Sequence, residues 1–214
     1  MPCTPGPESR KRIILFNGPP GCGKDTAANI IHSKTITYRY KMAQPLKEAC
    51  HKLLGLEGTL EELEPLKELP IKFLVKEGYA PAIDTGAISN ENREMTLRQF
   101  YIHVSENMMK PTFGTDVFGR SAVENLRQCH PMIATVSDAG FVGEALPIIE
   151  YFGQDRVCLI KIHRAGKSFA GDSRGYIDLP VKYSMDIHND GDLDTFAETL
   201  WRKISKNFLL GNLE

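Results

Sequence analysis

The stretch Ile13-Ile14-Leu15-Phe16-Asn17-Gly18-Pro19-Pro20-Gly21-Cys22-Gly23-Lys24-Asp25-Thr26-Ala27-Ala28-Asn29-Ile30-Ile31 decides how the chain is read. An apolar run of strand length enters a glycine-rich turn, and the turn gives way to a helix opening on Lys-x-Thr. This is the layout of a phosphate-binding loop. Glycine lets the backbone curl until successive N–H groups point inward at phosphate oxygens. The helix starting near Lys24 adds its positive end, and the Lys24 ammonium reaches the outer phosphates. Gly18, Gly21, Cys22, Gly23, Lys24, Asp25 and Thr26 are therefore the candidate ligands of a nucleoside triphosphate, with Cys22 read as a small residue that fits. One position departs from the usual pattern: Asp25 follows the lysine where Ser or Thr is expected, and the hydroxyl comes one later, at Thr26. A plain Gly/Pro hairpin would leave the lysine without a task.

Working outward, 214 residues suffice for one α/β domain with a small insertion and an ample core. Hydrophobic content of 42% and charged content of 25% are those of a soluble globular chain. Twenty-six Lys and Arg against 27 Asp and Glu leave a net charge near −1, with a sequence pI of about 6.6, so no bulk attraction to nucleic acid is expected. Five scattered cysteines, at 3, 22, 50, 129 and 158, include no Cys-x-x-Cys pair. Without a secretory signal they read as reduced thiols of a cytoplasmic protein. No apolar run reaches the length of a membrane span. The six histidines lack metal-ligand spacing, and no Gly-x-Ser-x-Gly elbow speaks for a serine hydrolase.

The pattern along the chain alternates strands with helices. Expected strands are Ile36–Tyr40, Met132–Val136, Val157–Ile162 and a short Met185–His188. Expected helices are Pro45–Leu54 ended by Gly55, Thr96 to about Met109 closed by Pro111, Phe118–Cys129, and Leu193–Ile204. Gly58 to Pro81, rich in Glu, Leu and Lys with several Gly and Pro breaks, reads as a helical excursion outside the sheet. Alternation of this kind predicts a parallel sheet in a three-layer α/β fold.

Phosphoryl transfer depends on charge neutralisation and in-line positioning more than on a reactive side chain. Arginines and an acid for Mg²⁺ are therefore sought near strand ends. Asp138, just past the strand ending at Val136, suits a Mg²⁺-bound water or the acceptor hydroxyl, with a turn-forming Asp as the plainer alternative. Asp25 is either a helix-dipole carboxylate or a catalytic one. Thr26 and Asp138 are the candidate metal ligands. Arg98 and Arg120 bracket Gly114-Thr115-Asp116 on helices, and their planar forks suit an acceptor phosphate. Arg164 and Arg174 lie in a Gly-rich stretch after the strand ending at Ile162, where a closing segment would bring them to the transferring phosphate. Asn189, in Asn189-Asp190-Gly191, either lines the nucleotide base or caps the final helix.

The spacing Gly-x-x-Gly-x-Gly-Lys-x-Thr resembles the adenylate kinase group of nucleoside monophosphate kinases, and with Asp after the lysine it is most similar to the phage deoxynucleoside monophosphate kinases. The segment Tyr40-Lys41-Met42-Ala43-Gln44-Pro45-Leu46-Lys47-Glu48-Ala49 resembles that family's aromatic-x-x-Ala-x-Pro-[Leu/Ile]-Lys-[Glu/Asp]-Ala segment, as do Gly114-Thr115-Asp116 and Asn189-Asp190-Gly191. These islands span most of the chain, each of them short. The opening Met1 to Arg12, with three prolines and then Arg10-Lys11-Arg12, reads as a flexible lead-in at 1–12, and the resemblance implies a three-layer phosphate-loop kinase fold over residues 13–214, a helical acceptor-binding insertion at 55–95 and a lid-like segment at 164–180. It also implies ATP and Mg²⁺ and a (deoxy)nucleotide acceptor touched by Lys47 as well as Arg98 and Arg120, and it allows a homodimer. The chain departs from the family after Val136. Where Asp-x-Arg is frequent it has Asp138-Ala139-Gly140, so one acceptor-phosphate cation is missing. That departure opens a second reading, the related phage kinases that phosphorylate 5-hydroxymethyluridine within DNA, whose acceptor presents a hydroxyl. A third reading, a non-catalytic nucleotide-binding switch, lacks an Asn-Lys-x-Asp guanine motif.

Overall fold

The computed structural model describes residues 11–74, 95–172 and 174–209. These divide between two compact units, one within Met1–Met42 and Asp116–Glu214, the other within Ala43–Thr115.

The first unit is built on β1 (Arg12–Asn17). Ile13, Ile14, Leu15 and Phe16 are all fully buried, each contributing roughly 1.5–3 kcal/mol of apolar burial. Successive side chains of a strand point to opposite faces, so a continuous apolar run has to be covered twice. Ile13 and Leu15 pack with α6 (Val117–Gln128) and α7 (Val142–Phe152) through Ala122, Leu126, Ala145 and Ile148. Ile14 and Phe16 pack with α1 (Lys24–Lys34) and α8 (Leu193–Ile204) through Ala27, Ile31, Phe196 and Leu200. The expected three-layer α/β architecture is the one observed. β2 (Tyr38–Tyr40), β3 (Ile133–Val136), β4 (Val157–His163) and β5 (Tyr183–His188) complete a five-stranded sheet in the order β2-β3-β1-β4-β5, with every pairing parallel. The carboxyl ends of all five strands therefore share one edge.

Several boundaries differ from the sequence pattern for identifiable reasons. β1 already starts at Arg12, whose N–H donates to the Met132 carbonyl at 2.8 Å, and the neighbouring Lys11 is buried with its ammonium on the Cys129 carbonyl. β2 is shorter than Ile36–Tyr40 because Ile36 lies out in solvent. Helix α7 is not announced by the pattern, since Pro147 falls inside it. Its first turn lies directly on α6. A Cβ at Gly119 would stand 2.1 Å from the Glu144 carbonyl oxygen and 2.9 Å from its carbon. None of the four described cysteines is in a disulfide, and among the described residues no helix is long and apolar enough to cross a membrane.

The second unit contains α2 (Gln44–Leu54), α3 (Leu60–Leu63), α4 (Leu97–His103) and α5 (Lys110–Phe113). It takes in helix before residue 55 and after residue 95, and residues 75–94 of the expected insertion lie outside the described residues. Pro45 occupies the first turn of α2 and Gly55 ends it in a left-handed conformation, as the pattern predicts. Thr96 opens α4 with a reciprocal cap, its hydroxyl accepting from the Gln99 N–H and the Gln99 side chain accepting from the Thr96 N–H. Pro111 does not close this helix. The chain widens into a π-helical stretch over Val104–Met109, with Lys110 N–H donating to the Ser105 carbonyl, and Pro111 then starts a further turn that ends at Gly114. Widening relieves the clash that a proline ring otherwise makes with the preceding turn. Leu46, Cys50, Leu54, Leu63, Ile71, Leu97 and Phe100 are buried within this unit. Beside them Glu64 bridges two lysines, Lys47 at 2.8 Å and Lys67 at 2.5 Å. Partial burial pushes the Glu64 carboxyl up, but the hydrogen bonds and charges of Lys47 and Lys67 prevail and bring it down to about 2.

Two outcomes follow from this packing. Gly119→Ala must force α6 and α7 apart and is expected to cost about 1–3 kcal/mol, read as a lower urea midpoint; an unchanged midpoint would contradict the close approach. The depressed Glu64 carboxyl contributes stability that is fully present above its ordinary value of 4.5 and is lost as pH falls toward 2. In Lys47→Ala a carbon-13 titration should show the Glu64 transition at higher pH, and no movement would mean that Lys47 does not hold it.

Candidate phosphate-binding site

β1 delivers the chain to the sheet's carboxyl edge at Asn17, and the glycine-rich turn spans residues 18–23 before α1 begins at Lys24. Gly23 is left-handed, with φ of 105°, and a Cβ there would lie 2.5 Å from the Asn189 amide nitrogen. A side chain at Gly18 would come within 2.5 Å of the Ile162 carbonyl oxygen and 2.7 Å of Cys22 Sγ. Both positions exclude larger residues. Asn189 follows β5, and its side-chain amide donates to the Cys22 carbonyl at 2.8 Å while its N–H donates to the His163 carbonyl at 2.8 Å. The helix-capping role open to Asn189 is filled instead by Asp192, whose carboxylate accepts from Thr195 N–H at 2.8 Å. Asn189 braces the turn.

Lys24 bends back over that turn. Its ammonium donates to the carbonyls of Gly18 at 2.7 Å and Pro19 at 2.8 Å, with Cys22 Sγ at 3.8 Å. Desolvation lowers the ammonium below an ordinary lysine, opposed by Cys22, reinforced by the nearby Arg174 charge and countered by Asp25 and Asp138. The same crowding raises the Cys22 thiol, chiefly through burial and against the pull of Lys24. Asp25, in the first turn of α1, accepts from the Ser137 hydroxyl at 2.8 Å and pairs with Lys41 at 3.0 Å. Partial desolvation raises the Asp25 carboxyl, and Ser137, Lys41 and Lys24 together outweigh it, so the group titrates below an ordinary aspartate. Asp138, one residue past Ser137, accepts from Met42 N–H at 2.7 Å. Thr26 is exposed on the same first turn of α1.

The segment after β4 closes on the turn from the other side. The Arg164 guanidinium donates to the Gly21 carbonyl at 3.4 Å, and a Cβ at Gly21 would lie 3.3 Å from Lys167 Cε. Ala165 N–H donates to Asp190 at 2.6 Å. Arg174 is gripped by Asp172, with Nε to Oδ1 at 2.8 Å and Nη2 to Oδ2 at 2.5 Å. Parallel pairing thus brings Lys24, Asp25, Asp138, Arg164, Arg174 and Asn189 to one edge, although they lie up to 165 positions apart in the chain. Arg120 pairs with Asp116 at the start of its own helix. Lys47 and Arg98 belong to the second unit, where Lys47 holds Glu64 and Arg98 lies 3.7 Å from Glu68. Asn17, Lys41, Ser137 and Lys167 join the site without having been singled out from the sequence. The available signal was position alone, a polar residue at or just past the end of a buried strand.

Chemically the edge combines a glycine-rich turn whose Gly18, Pro19 and Gly21 carbonyls accept from side chains, three cations facing that turn and two carboxylates beside them. The oxygen donors suit a hard divalent cation that keeps most of its waters. Among the described residues, no three His, Cys, Asp or Glu side chains are grouped to hold a metal by themselves.

No protein-family model matches the chain, and no curated protein matches it. Solved structures that are similar to it include a sugar kinase from Janibacter sp. HTCC2649, at 11% identity over 93% of this chain and 97% of that one with a TM-score of 0.40. Another is dephospho-CoA kinase from Campylobacter jejuni, at 11% identity over 95% of this chain and 100% of that one with a TM-score of 0.43. Likenesses of this size carry no information about substrate.

Proposed function

We propose that the chain is a phosphotransferase that takes the terminal phosphate from ATP and passes it to a (deoxy)nucleotide, in the manner of the phage deoxynucleoside monophosphate kinases it resembles. The observation that carries this reading is the Gly18–Lys24 turn at the end of a doubly buried strand, with Lys24 curled over it and Arg164 and Lys167 above Gly21. Lys24 donates to two neutral carbonyls of the turn. A triphosphate offers that ammonium anionic oxygens in their place, adding ion-pair attraction to bonds in which only the donor is charged. The loop amides and the amino end of α1 would hold the inner phosphates, and Arg164, Lys167 and Arg174 would neutralise charge that spreads onto the outer ones in the transition state. Asp25, held below an ordinary aspartate, and Asp138 stand where an acceptor hydroxyl or a hydrated cation would be oriented.

A Mg²⁺ ion fits the hard oxygen donors of Thr26, Asp138 and Asp25, and bound there it would supply neutralisation of the β- and γ-phosphate oxygens. The scattered reduced thiols suit a cytoplasmic setting. For the acceptor, the structure weakens the motive for a hydroxyl-bearing base in DNA, because the place next to Gly140 is occupied by the Arg174 stem and a cation is thereby supplied.

Lys24→Ala is expected to keep the urea midpoint and lose phosphoryl transfer by about 10³-fold. Transfer from labelled ATP should be measured with each of the four common deoxynucleoside monophosphates and with hydroxymethyluracil-containing DNA. Label on a free monophosphate is the expected result. Label on the DNA alone would replace the acceptor, and nucleotide binding without transfer to any of these would favour a non-catalytic switch. A Lys24→Ala protein that retains half its activity would refute the phosphate-loop reading.

A further inference from the structure

Gly140 lies in the turn after β3, and its conformation is one that any residue adopts, so its backbone does not require glycine. What requires glycine there is Arg174. A Cβ at position 140 would stand 2.4 Å from Arg174 Cδ and 2.9 Å from Cγ, and the third nearest atom, at 3.6 Å, is again Arg174's own Cβ. The arginine stem thus fills the volume that a side chain at 140 would take. Neighbouring backbone is tied down by Asn17, which is almost completely buried at the end of β1. Its amide donates to the Ala139 carbonyl at 2.9 Å and the Gly175 carbonyl at 3.1 Å, and its Oδ1 accepts from Ile177 N–H at 3.2 Å. One side chain therefore binds the residue before Gly140 to the residue after Arg174. Asp172 then fixes the fork through Nε and Nη2, with Nη1 outside that pair of bonds and the Asp138 and Glu144 carboxylates adding their charge nearby.

We propose that Asn17 and Gly140 are positioning residues that seat the Arg174 guanidinium at the sheet's carboxyl edge, where it reads the outermost phosphate of the bound nucleotide. Gly140 acts by absence, since its missing side chain makes the slot, and Asn17 acts by holding the two walls of the slot together. The seat also divides the stretch after β4 into two parts. Residues 174–177 are pinned to β1 through Asn17, whereas Gly166 and Gly171 are left-handed with open space around each, so closure over a ligand falls to the part before Asp172. The inference rests on the phosphate-loop reading above, and its test separates the two.

Affinities for ATP and ADP, each with Mg²⁺, should be measured by calorimetry on the full chain and on Gly140→Ala, Asn17→Ala, Arg174→Ala and the double variant Gly140→Ala/Arg174→Ala. Gly140→Ala is expected to weaken ATP at least about tenfold and ADP less than about twofold, because a displaced guanidinium removes a contact to the terminal phosphate alone. Arg174→Ala should do the same, and the double variant should be no worse than Arg174→Ala, since residues acting through one contact are not additive. Asn17→Ala should show the same ATP-selective loss together with faster hydrogen exchange at the Ile177 amide. Equal weakening of ATP and ADP in Gly140→Ala, or additive losses in the double variant, would overturn the proposal while leaving the phosphate loop intact. A wild-type chain that binds neither nucleotide would refute the phosphate-loop reading, and the assignment to Arg174 with it. Should Asn17→Ala fail to fold, the Gly140 and Arg174 arms decide alone.

Discussion

Burial of β1 on both faces is the constraint from which the rest of this molecule follows. Ile13 to Phe16 present no polar side-chain atom, so the strand's only polar requirement is its backbone, and parallel partners on either side meet it. Two helical layers are then needed to cover the two apolar faces. With β1 covered on both faces, polar chemistry is pushed to the sheet's rim. Parallel strand order aims one rim of carboxyl ends at a single place, and the first strand arrives there with a turn too tight for side chains at Gly18 and Gly23.

The charged groups of the rim are partnered within the chain. Lys24 rests on loop carbonyls, Arg174 on Asp172, and Asp25 on Ser137 and Lys41. Each of these partners is weaker or more exposed than a phosphate group would be, apart from Asp172, which is well enclosed. Like charges are held near one another at this rim, and the cost of bringing them there is met during folding. The lowered Lys24 ammonium, pressed by burial and by Arg174, records that cost.

Much of this was legible in the residues. The strand, turn and helix around Lys24 lie within twenty positions of one another, and periodicity with capping residues locates most elements to within two or three residues. Local signals failed where tertiary packing overrode them. Pro111 was tolerated because the helix widened ahead of it, and α7 carried Pro147 because its apolar residues are buried against β1 and α6. The roles of Asn17, Ser137 and Lys167 were invisible for a different cause. A polar residue beside a strand end looks alike whether it faces solvent or a turn 150 positions away, and spacing along the chain does not distinguish them.

The sequence by itself determined a parallel α/β fold, a glycine-rich turn between a buried strand and a helix, and the lysine that opens that helix, because strand period, glycine content and helix start are all encoded within a few neighbouring positions. Only the tertiary structure decided which cations meet that turn. Gly140 reads along the chain as the loss of an arginine, whereas in space it is the slot for another, Arg174, supplied from 34 positions downstream. The physical reason is that a binding site is sensitive to where a charge stands and indifferent to which segment carries it. Strand order and the hydrogen bonds of one buried asparagine set that position, and neither is a property of any local stretch of sequence.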